Sequence, residues 1–441
     1  MRRRSAAATL LLAGCAARPA AIELPRGDLE FLRELARDTL GLCRNGASRR
    51  ALGFAAITPA GRGGYPAFWI RDFCMSLDAR VIPLDEVREH VRCIAKSQNG
   101  VNTLRLAHGL EVPPHAIPDH ITVEGGAVFY PGTYSSGHDQ GNGAFGVLPP
   151  ADDHYEFVHA VAWMASETSG IDAALEVVDG RSLLERADAG YRVPEHSPET
   201  GLVRTSEQRR CVGFGFCDAI VMSGELLFPS LLRRRAAQEL AHLWNLAGDP
   251  PRAAALRGEA RTIEAHLAER FRDPLGSGFL LAATELGRQP DVWGTLFALH
   301  EGALDSGARA RALDAVEAAV RSGTILYEGA VRHVPTDRDA SPESAWDRTV
   351  GAAKNTYQNG AYWHTPTGWL VEALAERNPE LARRVAAEFL DHLRRHDFRL
   401  GPSEGAPWEC FGAGLKNAQN AVYLTSILVP LGCFERAAGQ R

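Results

Sequence analysis

Three things are scarce in this chain, and each scarcity excludes something. Basic charge is not in excess: 441 residues carry 48 Lys and Arg against 54 Asp and Glu, a formal net charge of -6. That leaves no basic footprint for nucleic acid. Lysine is nearly absent, confined to Lys96, Lys354 and Lys416, so the positive charge is almost all arginine. Cysteine is few and scattered. Besides Cys15 there are Cys43, Cys74, Cys93, Cys211, Cys217, Cys410 and Cys433, with no CxxC pair and no CxxC…H spacing to suggest zinc. Most read as small buried hydrophobes, and spacing alone leaves open whether Cys211 and Cys217 pair. Finally, the N-terminal apolar run, Ala6 to Leu12, is too short to span a bilayer.

That run has a different meaning. Arg2, Arg3 and Arg4 precede it, and Leu12-Ala13-Gly14-Cys15 follows as a lipobox. The segment is similar to a bacterial lipoprotein signal peptide with Cys15 as the lipidated residue; an ordinary secretory leader is the alternative. Residues 1–25 are therefore set apart as a leader, and 26–441 as the folded domain. The expected location is periplasmic or cell-envelope, with membrane attachment through Cys15, or otherwise secreted. The composition, 45% hydrophobic and 23% charged, is that of a soluble globular protein. The length suits two domains or one large closed architecture.

Periodicity is helical nearly throughout. Amphipathic helices are expected over 29–42, from Asp85 to Ser97, from Asp152, over 229–246 and 252–271, from Asp291 to 304, and over 308–321, 367–376, 380–395 and 415–431. Asp152 and Asp153 suit a helix N-terminus. Short turns such as Gly248-Asp249-Pro250 join the helices into hairpins, and longer loops with aromatics and carboxylates separate the pairs. Ten to twelve helices and few strands make an all-α chain. Stacked hairpins of this kind close into a ring or run on as an open solenoid. The loop content argues for the ring. Residues 105–150 form a long excursion rich in Gly, Pro, His and Tyr, and one that long is usually functional or an inserted subdomain. It holds Asp139 and Gln140.

The densest stretch is Asn355 to Leu370. It places Tyr357, Gln358, Asn359, Trp363 and His364 in a Gly-containing loop, where scaffolds present their chemistry. Flat aromatic faces and side-chain amides are what a sugar ring needs, the rings for its C–H face and the amides for its hydroxyls. Trp369, in an apolar helical run, reads as core.

Four stretches together resemble the six-hairpin glycosidases, the (α/α)6-barrel superfamily of glucoamylases, trehalases and disaccharide phosphorylases. Trp69-Ile70-Arg71-Asp72 is similar to a W-x-R-D stretch that helps hold the sugar. Gly215-Phe216-Cys217-Asp218 looks like the loop where disaccharide phosphorylases carry their acid. Tyr357 to Trp363, with Thr367-Gly368-Trp369, resembles the glutamine- and asparagine-containing signatures of trehalases and phosphorylases. Glu404 to Glu409, leading into Asn417 and Tyr423, is similar to the late loop of the general base. The motifs are short, and they depart from trehalases at the first and from glucoamylases at the acid. The resemblance implies an (α/α)6 barrel of helical hairpins, with long loops forming a cleft at one end, and glycoside hydrolysis with no metal or organic cofactor.

Inverting hydrolysis needs a protonated carboxyl on the leaving oxygen and an ionised one activating water opposite. Asp218, among Phe214, Phe216, Cys217, Ala219 and Ile220, sits where burial raises a carboxyl pKa; a helix cap is its alternative, and Glu199 is the reserve acid. Glu409 is the preferred base, with Glu404 in reserve. Trp69, Arg71, Asp72, Asp139, Gln140, Tyr357, Gln358, Asn359, Trp363 and His364 are the expected substrate ligands. Asp291 is either a ligand or a cap. Glu343 and Asp347 read as solvated loop carboxylates. An Arg71–Asp72 pair would hold Asp72 ionised. The competing readings are a phosphorylase, which replaces the base by a phosphate site of Arg, His and Ser, a carbohydrate-binding barrel without turnover, and a helical scaffold.

Overall fold

The computed structural model describes residues 24–168, 170–338, 348–412 and 419–437. The leader with Cys15, Glu343, Asp347 and Asn417 lie outside them. Thirteen α-helices are present among the described residues: α1 (Arg26–Cys43), α2 (Arg49–Leu52), α3 (Ile70–Met75), α4 (Leu84–Ser97), α5 (Asp152–Glu167), α6 (Leu183–Tyr191), α7 (Leu227–Leu246), α8 (Pro250–Arg270), α9 (Val292–His300), α10 (Ser306–Ser322), α11 (Thr367–Arg377), α12 (Pro379–Arg395) and α13 (Thr425–Ala437).

Apart from the single turn of α2, they alternate between two rings. The outer helices are amphipathic. In α4 the buried positions are Val87, His90, Val91, Cys93, Ile94 and Ala95, and in α12 Leu381, Val385, Phe389 and Leu393 lie on one stripe. A three-to-four-residue stripe faces inward and the polar face meets water. The inner helices are buried on nearly every side. In α9 every residue from Val292 to Leu299 is buried, as an element wrapped by others must be. Packing runs α3 to α5, α5 to α7, α7 to α9, α9 to α11, α11 to α13 and back from α13 to α3. The ring is closed, so the open solenoid is excluded and the chain is an all-α (α/α)6 barrel. Gly368 permits one of these approaches, since a Cβ there would stand 2.7 Å from Cys433 Cβ.

Most of the small strands lie in the connections that lead into the inner helices; the pair 177–178 and 181–182, between α5 and α6, is the exception among the described strands. Residues 67–69 pair with 120–122, which pair with 127–128. Residues 419–423 lie between 408–410 and 60–62. The helix expected from Leu415 therefore starts ten residues later, at Thr425. Its first part is a central strand stabilised by two partners distant in sequence. Helices α3 and α6 are short and lack a strong period in the sequence.

Candidate functional site

A cavity of about 380 Å³ opens at the N-terminal ends of the inner helices. Asp72 comes from the first turn of α3. Asp218 follows a single 3-10 turn at Gly215–Cys217, on the loop leading to α7. Glu409 lies on the strand Trp408–Cys410 ahead of α13. Asp218 and Glu409 thus reach the cavity on the connections to the third and sixth inner helices, which stand opposite in a ring of six. Tyr65, Trp69, Tyr134 and Tyr357 form the aromatic wall. Trp69 is seated on His120, 4.3 Å between ring centroids and 18° between planes, with Tyr65 edge-on at 4.8 Å.

The floor is an ion cluster. Arg71 Nε donates to Asp152 Oδ2 at 2.8 Å, and Nη2 donates to Asp119 Oδ1 at 2.6 Å and Asp153 Oδ2 at 2.7 Å. Asp119 Oδ2 also meets His120 Nδ1 at 2.6 Å. Burial pushes the Asp119 carboxyl up, but Arg71 and His120 outweigh it and hold it at about 2. For Asp153 burial wins: its carboxyl is pushed up despite Arg71, with the charges of Asp152, Asp119 and Glu156 adding to the rise. Asp152 Oδ2 further accepts from Gly215 N at 2.8 Å, tying the Asp218 loop to the cluster. A Cβ on Gly215 would fall 2.0 Å from Arg71 Nε, so only glycine fits there.

Arg71 is thus occupied by three aspartates, none of them Asp72, so an Arg71–Asp72 pair does not hold Asp72 ionised. Asp72 Oδ1 accepts from Tyr423 OH at 2.8 Å instead. Burial raises its carboxyl to about 7, against the partial opposition of Arg71 and Tyr423. Asp152 and Asp153 open α5 but make no side-chain cap hydrogen bond; they are the partners of Arg71. Asp119, Asp152, Asp153, Tyr65, Tyr134, Asn420 and Tyr423 are the site residues that sequence reasoning missed as such. Two adjacent aspartates entering a helix that is otherwise apolar were the available signal.

Asp218 lines the cavity, half-buried. Burial raises its carboxyl to about 7, opposed by Arg71 and by the Gln358 amide. Gln358 brackets it: Oε1 accepts from Ala219 N at 2.7 Å, and Nε2 donates to Gly215 O at 2.9 Å. Glu409 is 1% exposed. It accepts from Tyr65 OH at 2.7 Å, from Tyr357 OH at 3.3 Å and from Asn420 Nδ2. Burial nevertheless raises it to about 8, with those three donors lowering it and Asp72 adding to the rise.

The cavity brings together Trp69, Arg71, Asp72, Asp218, Tyr357, Gln358 and Glu409. Other expected residues lie elsewhere. Trp363 is fully buried, with its ring centroid 5.7 Å from both Trp293 and Phe216, because the strand 362–363 alternates its faces. Asn359 is buried and donates to Ala352 O at 3.0 Å. His364 is buried against Phe389 and His392. Asp291 caps α9, accepting from Gly294 N at 2.8 Å, and borders a separate small void. Glu404 meets His396 Nδ1 at 3.0 Å outside the cavity, and Glu199 is exposed in its turn. Asp139 and Gln140 border an adjoining groove that shares Pro131 to Thr133 and Phe145 with the cavity. Gln140 there is buried and accepts from Phe129 N at 2.8 Å. The 105–150 excursion thus forms one wall. Cys211 and Cys217 are both free thiols.

No family model and no curated protein matches the sequence. Solved structures do match its fold. A rhamnosidase from Klebsiella oxytoca with rhamnose bound aligns at TM-score 0.60 and 13% identity, over 96% of this chain and 66% of its own, so this chain spans about two thirds of it. A GH63 mannosylglycerate hydrolase from Thermus thermophilus aligns at 0.58 and 15%, over 91% of this chain and 99% of its own. The GH15 glucoamylase of Hypocrea jecorina aligns at 0.61 and 14%, over 93% and 72%. The shared fold is that of the six-hairpin glycosidases.

Proposed function

We propose that residues 26–441 form a glycoside hydrolase that inverts the anomeric centre of an oligosaccharide or glycoside, with Asp218 as general acid and Glu409 as general base. The observation that carries the reading is the pair of cavity carboxyls delivered from opposite loops, beside an aromatic wall. The roles are assigned from the hydrogen bonds and not from the resting proton order, in which Glu409 at about 8 stands above Asp218 at about 7 even with its donors in place. Tyr65, Tyr357 and Asn420 converge on Glu409, and donors favour the charged form of a carboxylate. Asp218, with the Gln358 amide beside it, is left to carry the proton to the leaving oxygen. Tyr65 and Tyr357 also fix the carboxylate that would orient the attacking water. Trp69 offers the stacking face.

Charge narrows the substrate. Arg71 is the one basic residue among the described cavity-lining residues, and three aspartates surround it. Asp72, Asp218 and Glu409 remain. A phosphate site is therefore unsupported, which disfavours phosphorolysis. An uncharged sugar fits better than an anionic glycoside of the mannosylglycerate kind. Export with a lipid anchor at Cys15 is proposed alongside, and Cys15→Ala would move the protein from the membrane fraction to the soluble one.

The test is turnover on a glycoside panel with NMR of the released anomer. Asp218→Asn keeps activity on glycosyl fluorides, whose leaving group needs no proton, and loses it on alkyl glycosides. Glu409→Gln loses both. The opposite pattern would exchange the two roles, and no turnover on any member would favour the binding barrel.

A further inference from the structure

A cluster of histidines and carboxylates lies outside the cavity, where α12 ends. His392 and His396 are four residues apart and so share one helix face. An imidazole nitrogen of each and a carboxylate oxygen of Glu328 lie within 4.8 Å of one another. Two further observations bear on the cluster. His392 is 3% exposed, and its Nδ1 already faces a Glu328 carboxylate oxygen at 2.8 Å, the pair of atoms a shared cation would bridge. And His396 Nδ1 meets Glu404 Oε2 at 3.0 Å, the outer carboxylate that orients metal-binding imidazoles.

We propose that Glu328, His392 and His396 bind a zinc-type divalent cation. Two imidazoles and one carboxylate are a common zinc donor set, with water completing a tetrahedron. Oxygen-seeking Mg²⁺ and Ca²⁺ suit it poorly. Arg395 donates to Glu328 Oε1 at 3.1 Å, but it is 54% exposed at the side chain and is free to swing into water. The other such cluster among the described residues, His300, Glu372 and Cys433, differs, because Arg436 fills it and contacts all three. The cation would join three pieces of chain: the turn at 328, the end of α12 and the loop at Glu404. That loop continues into the strand that carries Glu409. The sequence shows the pair only as His-x3-His, without the cysteines of a finger.

The experiment uses the full chain stripped with EDTA and titrated with ZnCl2 alone, and it reads bound zinc after gel filtration and the Tm. These readouts do not depend on glycosidase activity. Expected are one retained zinc per chain and a Tm rise of about 3 °C at a hundredfold excess over Kd, with no rise from MgCl2 or CaCl2. His396→Ala, a partly exposed position, should fold and lose both effects, and Glu328→Gln should weaken them. Substoichiometric zinc in the wild type, or full zinc retention by His396→Ala, would overturn the proposal.

Discussion

Replacing Glu409 by Gln should make the protein more stable as pH rises while removing its activity. The carboxyl sits at 1% exposure with its pKa raised to about 8, against about 4.3 when unfolded. A group raised in the fold contributes its stability below the unfolded value and loses it as pH climbs through the folded one. Between pH 5 and pH 8 the wild type therefore loses up to about 3.5 kcal/mol at this residue. Water in the cavity screens the charge and brings the expected loss to about 2 kcal/mol. Glutamine cannot ionise, so the variant is spared that loss. It still offers an oxygen to Tyr65 and Tyr357, while its NH2 opposes Asn420 for an offset of about 1 kcal/mol that is the same at every pH. The raised carboxyl of Asp218 is common to both proteins, while Asp72, whose charge adds to the rise at Glu409, ionises more easily in the variant and widens the difference. Urea denaturation of the two proteins at pH 5, 6.5 and 8 measures the difference. A stability difference that stays flat from pH 5 to pH 8 would refute the buried-carboxylate reasoning, whatever the activity assay shows.

Arg71→Met should remove the cationic partner of Asp119, Asp152 and Asp153, costing about 3–5 kcal/mol at pH 7. The deficit should narrow at pH 4, where the stranded carboxyls protonate, and a Tm equal to wild type at both pH values would contradict the assignment. Gln358→Leu should release both ends of the Asp218 loop. The expected result is a fall in kcat of roughly 10- to 100-fold from misplaced geometry, with KM little changed, and an unchanged kcat would show that the loop needs no bracket.

The helices with a clear apolar stripe were legible because burial on one face writes a period into the sequence. Closure was not, since it depends on α13 meeting α3 across the whole chain. Asp218 and Glu409 could be picked out as candidates because local signals mark them: apolar neighbours for one, and a tryptophan in a late loop for the other. The Arg71 cluster could not be seen. Its partners lie 48, 81 and 82 residues away, and two of them look like helix caps. The 355–370 loop was over-read for a related reason. Tyr357 and Gln358 reach the cavity, but the strand at 362–363 sends Trp363 into the core. Residues 419–423 share the difficulty, because a short strand placed between two distant partners carries no period that sets it apart from a helix.

The same barrel geometry accounts for so acidic a site. The inner helices begin at the cavity, and a helix N-terminus carries a partial positive charge and unpaired N–H groups. Asp72, Asp152 and Asp153 occupy first turns there. These fields offset part of the cost of burying carboxylates, and Arg71 offsets more for the three acids around it. These fields do not decide the outcome, because Asp72 and Asp153 in first turns are pushed up by burial just as Asp218 and Glu409 on the loops are. What separates two classes of acid is contact: Asp119, Asp152 and Asp153 hold Arg71, and Asp152 also the Gly215 loop, while Asp72, Asp218 and Glu409 line the cavity with raised carboxyls, where a proton is available for transfer.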